Sequence, residues 1–323
     1  MICINDQHTD PYFNLAAEEY VLKNFSDNIF MLWRNEPSII VGKFQNALAE
    51  VNLDFVQQNK IKVVRRLTGG GAVFHDLGNL NFTFIENDST GDFRTFTQPI
   101  IDILVKLGVD ARFEGRNDLT INGKKFSGNA QCVYKNRTQH HGTLLFSAIM
   151  TDLSAALQVN PLKFEDKAVK SVRSRVTNIS EHLKQPMDVL QFRSLIMMHI
   201  VESTTNCISY EYSAEDIARI EKLRDEKYST WDWNFGHSPK YAFSKLIRTG
   251  GGNLEAHLNV TEGRIKDIKL YGDFFFYKEL GELEKELVGC PHERSTLTAR
   301  LNEVGIQDYI RNTTPEEVVE VFF

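Results

Sequence analysis

Two segments hold residue types that could handle an anion. The first runs Arg65-Arg66-Leu67-Thr68-Gly69-Gly70-Gly71-Ala72-Val73-Phe74-His75-Asp76. Glycines let a backbone approach a ligand closely and aim N–H groups at an anion. Three glycines alone read as a hairpin tip, but the Arg pair before them and His-Asp after them point to an anion site. The segment is neither a P-loop nor a dinucleotide fingerprint, because it lacks G-x-x-x-x-G-K-[ST] and no helical pattern opens after it. The second segment centres on Asn122-Gly123, a two-residue hairpin signal. Its register sets Ile121 opposite Lys124, Thr120 opposite Lys125 and Leu119 opposite Phe126. Leu119, Ile121 and Phe126 then share an apolar face, and Asp118, Thr120, Lys125 and Ser127 the other. Lys125, rather than Lys124, is thereby grouped with an aspartate and hydroxyls.

Other polar clusters carry less. Adjacent His140 and His141 point to opposite sides of a strand and make no zinc spacing with His75, so the expectation around His140 is one hydrogen-bonded histidine and one exposed. The stretch from Lys163 to Arg175 is basic within an acidic protein, and its Ala168, Ser171 and Ser174 suit a loop that closes over phosphates. Cys3, Cys132, Cys207 and Cys290 lie far apart without C-x-x-C, which favours free thiols in a reducing compartment. Cys132 follows Lys125 closely enough to be weighed as a nucleophile against a plain role as a small buried strand residue.

A chain of 323 residues with 42% hydrophobic and 25% charged content is expected to form two domains of an ordinary soluble protein. It has no long apolar run and no signal-peptide pattern at its start, so a cytoplasmic protein without membrane association is expected. A net charge of -6 argues against general nucleic-acid binding and makes any anion site local. Asp10-Pro11 caps a helix with Phe13, Ala16, Ala17, Tyr20 and Val21 at helical spacing. Residues 29–33 and 38–42 read as strands around the Asn35-Glu36-Pro37 turn, and 63–66 as another. Asn79-Leu80-Asn81-Phe82-Thr83-Phe84 alternates as a half-buried strand. Helices are expected over 95–107, 188–203 and 214–228. This mixed order without βαβ repetition predicts α+β with a largely antiparallel sheet. The boundary falls after Trp231 to Pro239, giving domains 1–239 and 240–323. The second should hold three β runs, a helix over 280–287 and another over 315–322 capped by Thr314.

In series, R-R-x-T-G-G-G-A-V-F-H-D-L-G-N, G-R-N-D, K-F-S-G-N-A, H-H-G-T-L-L and K-S-V-R-S-R-V-T-N resemble the lipoate-protein ligases, and W-D-W-N-F-G with the β-rich tail extends the likeness over the whole chain. The resemblance implies a fold like that of biotin ligases and class II aminoacyl-tRNA synthetases, plus a small accessory domain. It implies that lipoate and ATP give lipoyl-adenylate and pyrophosphate, and that a lysine of a lipoyl domain then takes the acyl group. Acceptors would be 2-oxoacid dehydrogenase complexes and the glycine cleavage H protein, and the ligase itself a monomer. Lys125 matches the family's essential lysine. Arg66, Gly71, Ala72, Val73 and Phe74, with Asn117 and Asp118, are the ATP-binding expectation. Arg65, Gly70, His75, Trp33 and His141, with Lys125, are the lipoate-binding one. Trp33, Leu67, Val73 and His75 would wall the dithiolane tunnel. Lys170, Arg173 and Arg175 would belong to an adenylate-binding loop, and Asp118 would hold Mg²⁺. An ATP-independent amidotransferase using Cys132, a non-catalytic lipoyl-domain binder and a biotin ligase are the rivals.

Overall fold

The computed structural model describes residues 1–45, 47, 51, 56, 58–87, 91–149, 176–235, 243–261 and 263–323. The basic stretch that includes Lys170, Arg173 and Arg175 lies outside them.

Asp10 caps helix α1 (Pro11–Asn24) by accepting the Tyr12 N–H, and Pro11 takes the first turn, where its missing N–H costs nothing. The helix packs on a sheet of eight strands. These are β1 (Ile2–Asn5), β2 (Ile29–Trp33), β6 (Asn79–Asn87), β7 (Ala111–Glu114), β8 (Asp118–Ile121), β9 (Lys124–Tyr134), β10 (Arg137–Leu145) and β11 (Ile208–Tyr210). Their order is β11-β1-β2-β6-β10-β9-β8-β7. Only the β11-β1-β2 edge is parallel, so the sheet is antiparallel-dominated as expected. Strands β3 (Ser38–Val41), β4 (Lys62–Arg65) and β5 (Val73–His75) form a separate small sheet, with β3 central. The turn at Asn35-Glu36-Pro37 therefore passes the chain from one sheet to another and does not close a hairpin.

Helices α2 (Phe93–Lys106) and α3 (Val189–Ser203) cover one face through a core that includes Phe82, Phe84, Phe96, Ile100 and Phe192. Against the other face lie α1, α4 (Ala214–Leu223), a π turn at Arg224–Tyr228 and α5 (Trp231–Asn234). Helix α3 opens on a complete Asp188/Gln191 capping box. Two sequence-based expectations change here. Strand β6 is buried on both faces through Ile85, so its polar set does not face bulk water. The side chains of Cys3 and Cys207 meet, where cysteines far apart were expected, because β1 and the residue before β11 lie side by side.

The C-terminal part is a meander of β12 (Phe243–Thr249), β13 (Gly252–Thr261) and β14 (Arg264–Gly272). It is covered by α6 (Leu280–Leu287), α7 (Arg294–Val304), α8 (Ile306–Tyr309) and α9 (Pro315–Glu320), around a core of its own. The Thr314 cap of α9 forms as expected, as a full capping box with Glu317. Helix α7 has no counterpart in the sequence reading. It buries only Leu297 and Leu301, one turn apart, and no side chain caps its start.

Candidate active site

Asn122 and Gly123 both take positive φ, 52° and 72°, as a type I′ turn requires. The turn pairs Ile121 with Lys124 and Thr120 with Lys125 as the spacing predicted. Beyond that a bulge intervenes, and Leu119 pairs with Ser127 instead of Phe126. The bulge keeps Leu119, Ile121 and Phe126 in the core while Lys125 stays on the opposite side. There its Nζ meets Asp118 Oδ1 at 2.7 Å, each side chain 38% exposed. Lys125 also anchors the chain leaving residue 175: its carbonyl accepts the Thr177 N–H at 2.9 Å.

The glycine-rich turn stands across a cavity from Lys125. The cavity encloses about 150 Å³ and is lined by Trp33, Arg66, Gly70, Gly71, Ala72, Val73, His75, Asn117, Lys125 and His141 among the expected site residues. Apolar pockets of that size accept a molecule as large as benzene, so a five-membered ring fits. Gly69 and Gly70 are required by contact: a Cβ on Gly69 would sit 2.2 Å from the Phe274 carbonyl oxygen, and Gly70 has φ of 89°. The Gly70 N–H donates to that same carbonyl at 3.3 Å.

Some expected residues are elsewhere. Arg65 is 1% exposed and faces away from the cavity. Its guanidinium donates to the carbonyls of Gly42, Lys43, Gln45, Trp233 and Asn234, tying the small sheet to α5. This corrects its assignment to lipoate. The physical reason is that its guanidinium is buried and turned toward five backbone carbonyls. The Phe74 side chain packs with Ile39 and Val63, so only its backbone is available to a ligand. Leu67 packs with the α1 side of the core and is not a cavity wall. Asp118 stands beside the cavity through its bond to Lys125.

Arg66 is buried and holds the glycine turn in shape. It donates to the carbonyls of Ile40, Gly69 and Gly71 and to Thr68 Oγ1, at 2.6–3.0 Å. Burial pulls its pKa down to about 10, which leaves it charged at neutral pH. The opposing carboxylate comes from Glu18 on α1, a residue the sequence did not flag. Glu18 accepts Thr83 Oγ1–H at 2.5 Å and pairs with His141 Nδ1 at 3.0 Å, and His141 Nε2 meets Thr68 Oγ1 at 2.7 Å. Trp33 Nε1 donates to Thr83 Oγ1 at 2.9 Å. One hydrogen-bonded chain thus runs from Trp33 to the glycine turn. Asn129, part of the K-F-S-G-N-A motif but given no role from sequence, clamps Asn117 through three hydrogen bonds of 2.6–3.0 Å. A polar side chain at a core position of α1, and polar residues on alternate positions of β6, were the available signals.

His140 and His141 do point to opposite sides of β10, yet neither is exposed as expected. His140 is fully buried, stacked on Phe82 and Phe96. Burial lowers its pKa well below the ordinary value, and burial with nearby Arg66 and His141 pushes His75 down to about 3. Both are neutral when folded and protonate near pH 6.5 when unfolded. Their neutral burial therefore costs nothing above that pH and destabilises as pH falls below it, for His75 down to about 3. His75 should remove about 1.4 kcal/mol per pH unit in that window, and His140 acts in the same direction. Urea midpoints at pH 7.5 and 5 should show a clear fall at pH 5 with unchanged m; equal midpoints would contradict the assignment.

One cavity thus brings the Lys125 ammonium, the backbone of a glycine turn and the buried Trp33 and His75 together on an antiparallel-dominated α+β fold. The family model of the lipoyl protein ligase A/B catalytic domain matches residues 10–201, and that of the bacterial lipoate protein ligase C-terminus matches 238–322. The lipoate-protein ligase LplJ of Bacillus subtilis (strain 168) is 42% identical, with all of both chains covered. LipL1 of P. falciparum, solved with lipoate, superposes with TM-score 0.81 at 26% identity over 94% of each chain. A lipoate-protein ligase A bound with ATP superposes with TM-score 0.63 at 30% identity, over 72% of this chain and 98% of that one. The chain belongs to the lipoate-protein ligase family.

Proposed function

We propose that the chain activates lipoate with ATP and transfers the lipoyl group to a lysine of a lipoyl domain, with Lys125 serving both steps. In the first, a lipoate carboxylate oxygen attacks the α-phosphorus, forming the acyl-adenylate as the bond to pyrophosphate breaks. In the second, the acceptor amine attacks the acyl carbonyl, the amide forms, AMP leaves and the amine gives up a proton. Both steps build negative charge on oxygens that one fixed ammonium can stabilise. The observation that carries this reading is the placement of Lys125 on the same cavity as the glycine turn and the buried Trp33 and His75.

The residues divide the work. The backbone of Gly71 to Phe74, shaped by Arg66, cradles the nucleotide, with Asn117 and Asp118 beside it. Gly70, Trp33, His75 and His141 receive the acyl chain, and Lys170, Arg173 and Arg175 belong to the adenylate-binding loop. Asp118 suits Mg²⁺, which binds through one or two carboxylates plus substrate phosphates and would neutralise the departing pyrophosphate. Residues 1–239 form the catalytic domain and 240–323 the accessory domain, a division supported by the separate core of the latter. Acceptors are the lipoyl domains of 2-oxoacid dehydrogenases and the glycine cleavage H protein. The ligase is proposed to work as a cytoplasmic monomer.

A cysteine amidotransferase is disfavoured by burial. Cys132 is 6% exposed, and burial pushes its thiol up to about 12, away from the thiolate a nucleophile needs. Pyrophosphate release should require lipoate and ATP together and survive in Cys132→Ala. ATP-free acyl transfer that Cys132→Ala abolishes would overturn the ligase mechanism.

A further inference from the structure

We propose that Glu18, which stands behind the cavity and not in it, is a positioning residue for the chemistry: its carboxylate fixes the His141 tautomer and, through Thr68 and Arg66, holds the glycine turn in the shape that receives the nucleotide. The inference rests on the acyl-activating function proposed above and adds a residue to its machinery.

The direction of each bond in the network follows from the groups that can only donate. Thr83 and His141 lie opposite each other in register on β6 and β10, so their side chains share one face. Glu18 reaches them from α1 and is 2% exposed. Arg66 Nε can only donate, and it gives its hydrogen to Thr68 Oγ1 at 2.9 Å. Thr68 is fully buried, and the acceptor for its own proton among the described residues is His141 Nε2, at 2.7 Å. With Nε2 accepting, the ring proton sits on Nδ1, which faces Glu18 Oε1 at 3.0 Å and Oε2 at 3.2 Å. On the other side Trp33 Nε1 donates to Thr83 Oγ1 at 2.9 Å, and the Thr83 proton goes to Glu18 Oε1 at 2.5 Å. Both branches therefore end on the carboxylate.

Glu18 does not line the cavity, whereas Trp33, Arg66 and His141 do. Arg66 completes the connection, since its guanidinium donates to the carbonyls of Gly69 and Gly71. A cradle of backbone N–H groups works best when its geometry is set before the ligand arrives, and bonds from behind the site are what set it. A glutamine cannot replace the carboxylate here. Both carboxylate oxygens stand within 3.2 Å of His141 Nδ1, so whichever position the amide nitrogen takes, it meets a donor. Relief requires the ring proton to move to Nε2. Thr68 Oγ1 would then receive hydrogens from both Arg66 and His141, and its own buried proton would lose its acceptor.

The test measures kcat/KM for ATP by lipoate-dependent pyrophosphate release, together with urea midpoints. Glu18→Gln should lower kcat/KM for ATP on the order of tenfold in fully folded enzyme. Thr68→Val, which cuts the same path, should give a similar loss, and Thr68→Ser, which keeps the hydroxyl, should stay near native. Combining Glu18→Gln with Thr68→Val should be no worse than the poorer single variant, because the path is already broken. In the native enzyme, nitrogen NMR shifts of the imidazoles should place the His141 proton on Nδ1, with the signal assigned by its loss in His141→Gln. That observation decides even where a variant at Glu18 does not fold. A native kcat/KM for ATP in folded Glu18→Gln, with only its urea midpoint lowered, would reduce Glu18 to a structural role and overturn the proposal. Fully additive losses in the double variant, or a His141 proton on Nε2, would overturn it too. Each of these outcomes leaves the ligase function standing, whereas no release with lipoate and ATP in the native enzyme would overturn both.

Discussion

Replacing Lys125 with alanine should lower lipoate-dependent pyrophosphate release by roughly 10²- to 10³-fold, the range for losing one preorganised stabiliser of developing charge. The loss should fall on kcat more than on either KM, because the charge it stabilises exists mainly in the transition state. Lys125 sits at the second position after a type I′ turn, and its carbonyl is tied to Thr177. Its ammonium is half-exposed and held by Asp118, so alanine leaves no cavity in the core. Thermal stability should therefore stay near native. Single-turnover transfer from preformed lipoyl-adenylate should also slow in the same variant, because in the proposed mechanism the same ammonium serves both steps. A variant with full adenylation and impaired transfer, or the reverse, would show that Lys125 serves one step only.

Arg65→Ala should do the opposite, costing stability rather than chemistry. Five carbonyls from two segments converge on the Arg65 guanidinium, and Asn234 Oδ1 also accepts its backbone N–H at 2.8 Å. Each buried polar group left without a partner costs about 1–3 kcal/mol. Allowing for entering water and relaxation, a loss of at least about 3 kcal/mol is expected in urea unfolding. Whatever remains folded should keep a near-native KM for lipoate. A stable Arg65→Ala protein with a raised lipoate KM would restore Arg65 to the binding site.

Adjacent arginines separate two kinds of legibility. The motif marked both, but which one faces a ligand depends on where β4 ends and on a partner helix some 170 positions away, and local spacing carries neither. The hairpin was readable because a two-residue turn fixes its own register. The bulge between Leu119 and Thr120 was not, since it answers to packing in the core. On β6, alternation correctly separated Leu80, Phe82 and Phe84 from Asn79, Asn81 and Thr83. It misjudged what the polar set faces: Asn81 lines the cavity, while Thr83 bonds to Glu18 and Trp33 inside the protein. Glu18 lies in an apolar helical run whose only hint was a charge on the core side. The meeting of Cys3 with Cys207 depends on strands that come together only after folding.

Acceptor mass reports the whole account at once. A lipoyl domain incubated with the enzyme, lipoate, Mg²⁺ and ATP should gain one lipoyl group on a single lysine, as read by intact-mass and fragment spectra. Without ATP, or with the Lys125→Ala enzyme, its mass should stay unchanged over the same time. A lipoyl gain in the ATP-free reaction would contradict the central claim that Lys125 and the glycine turn act together on an acyl-adenylate.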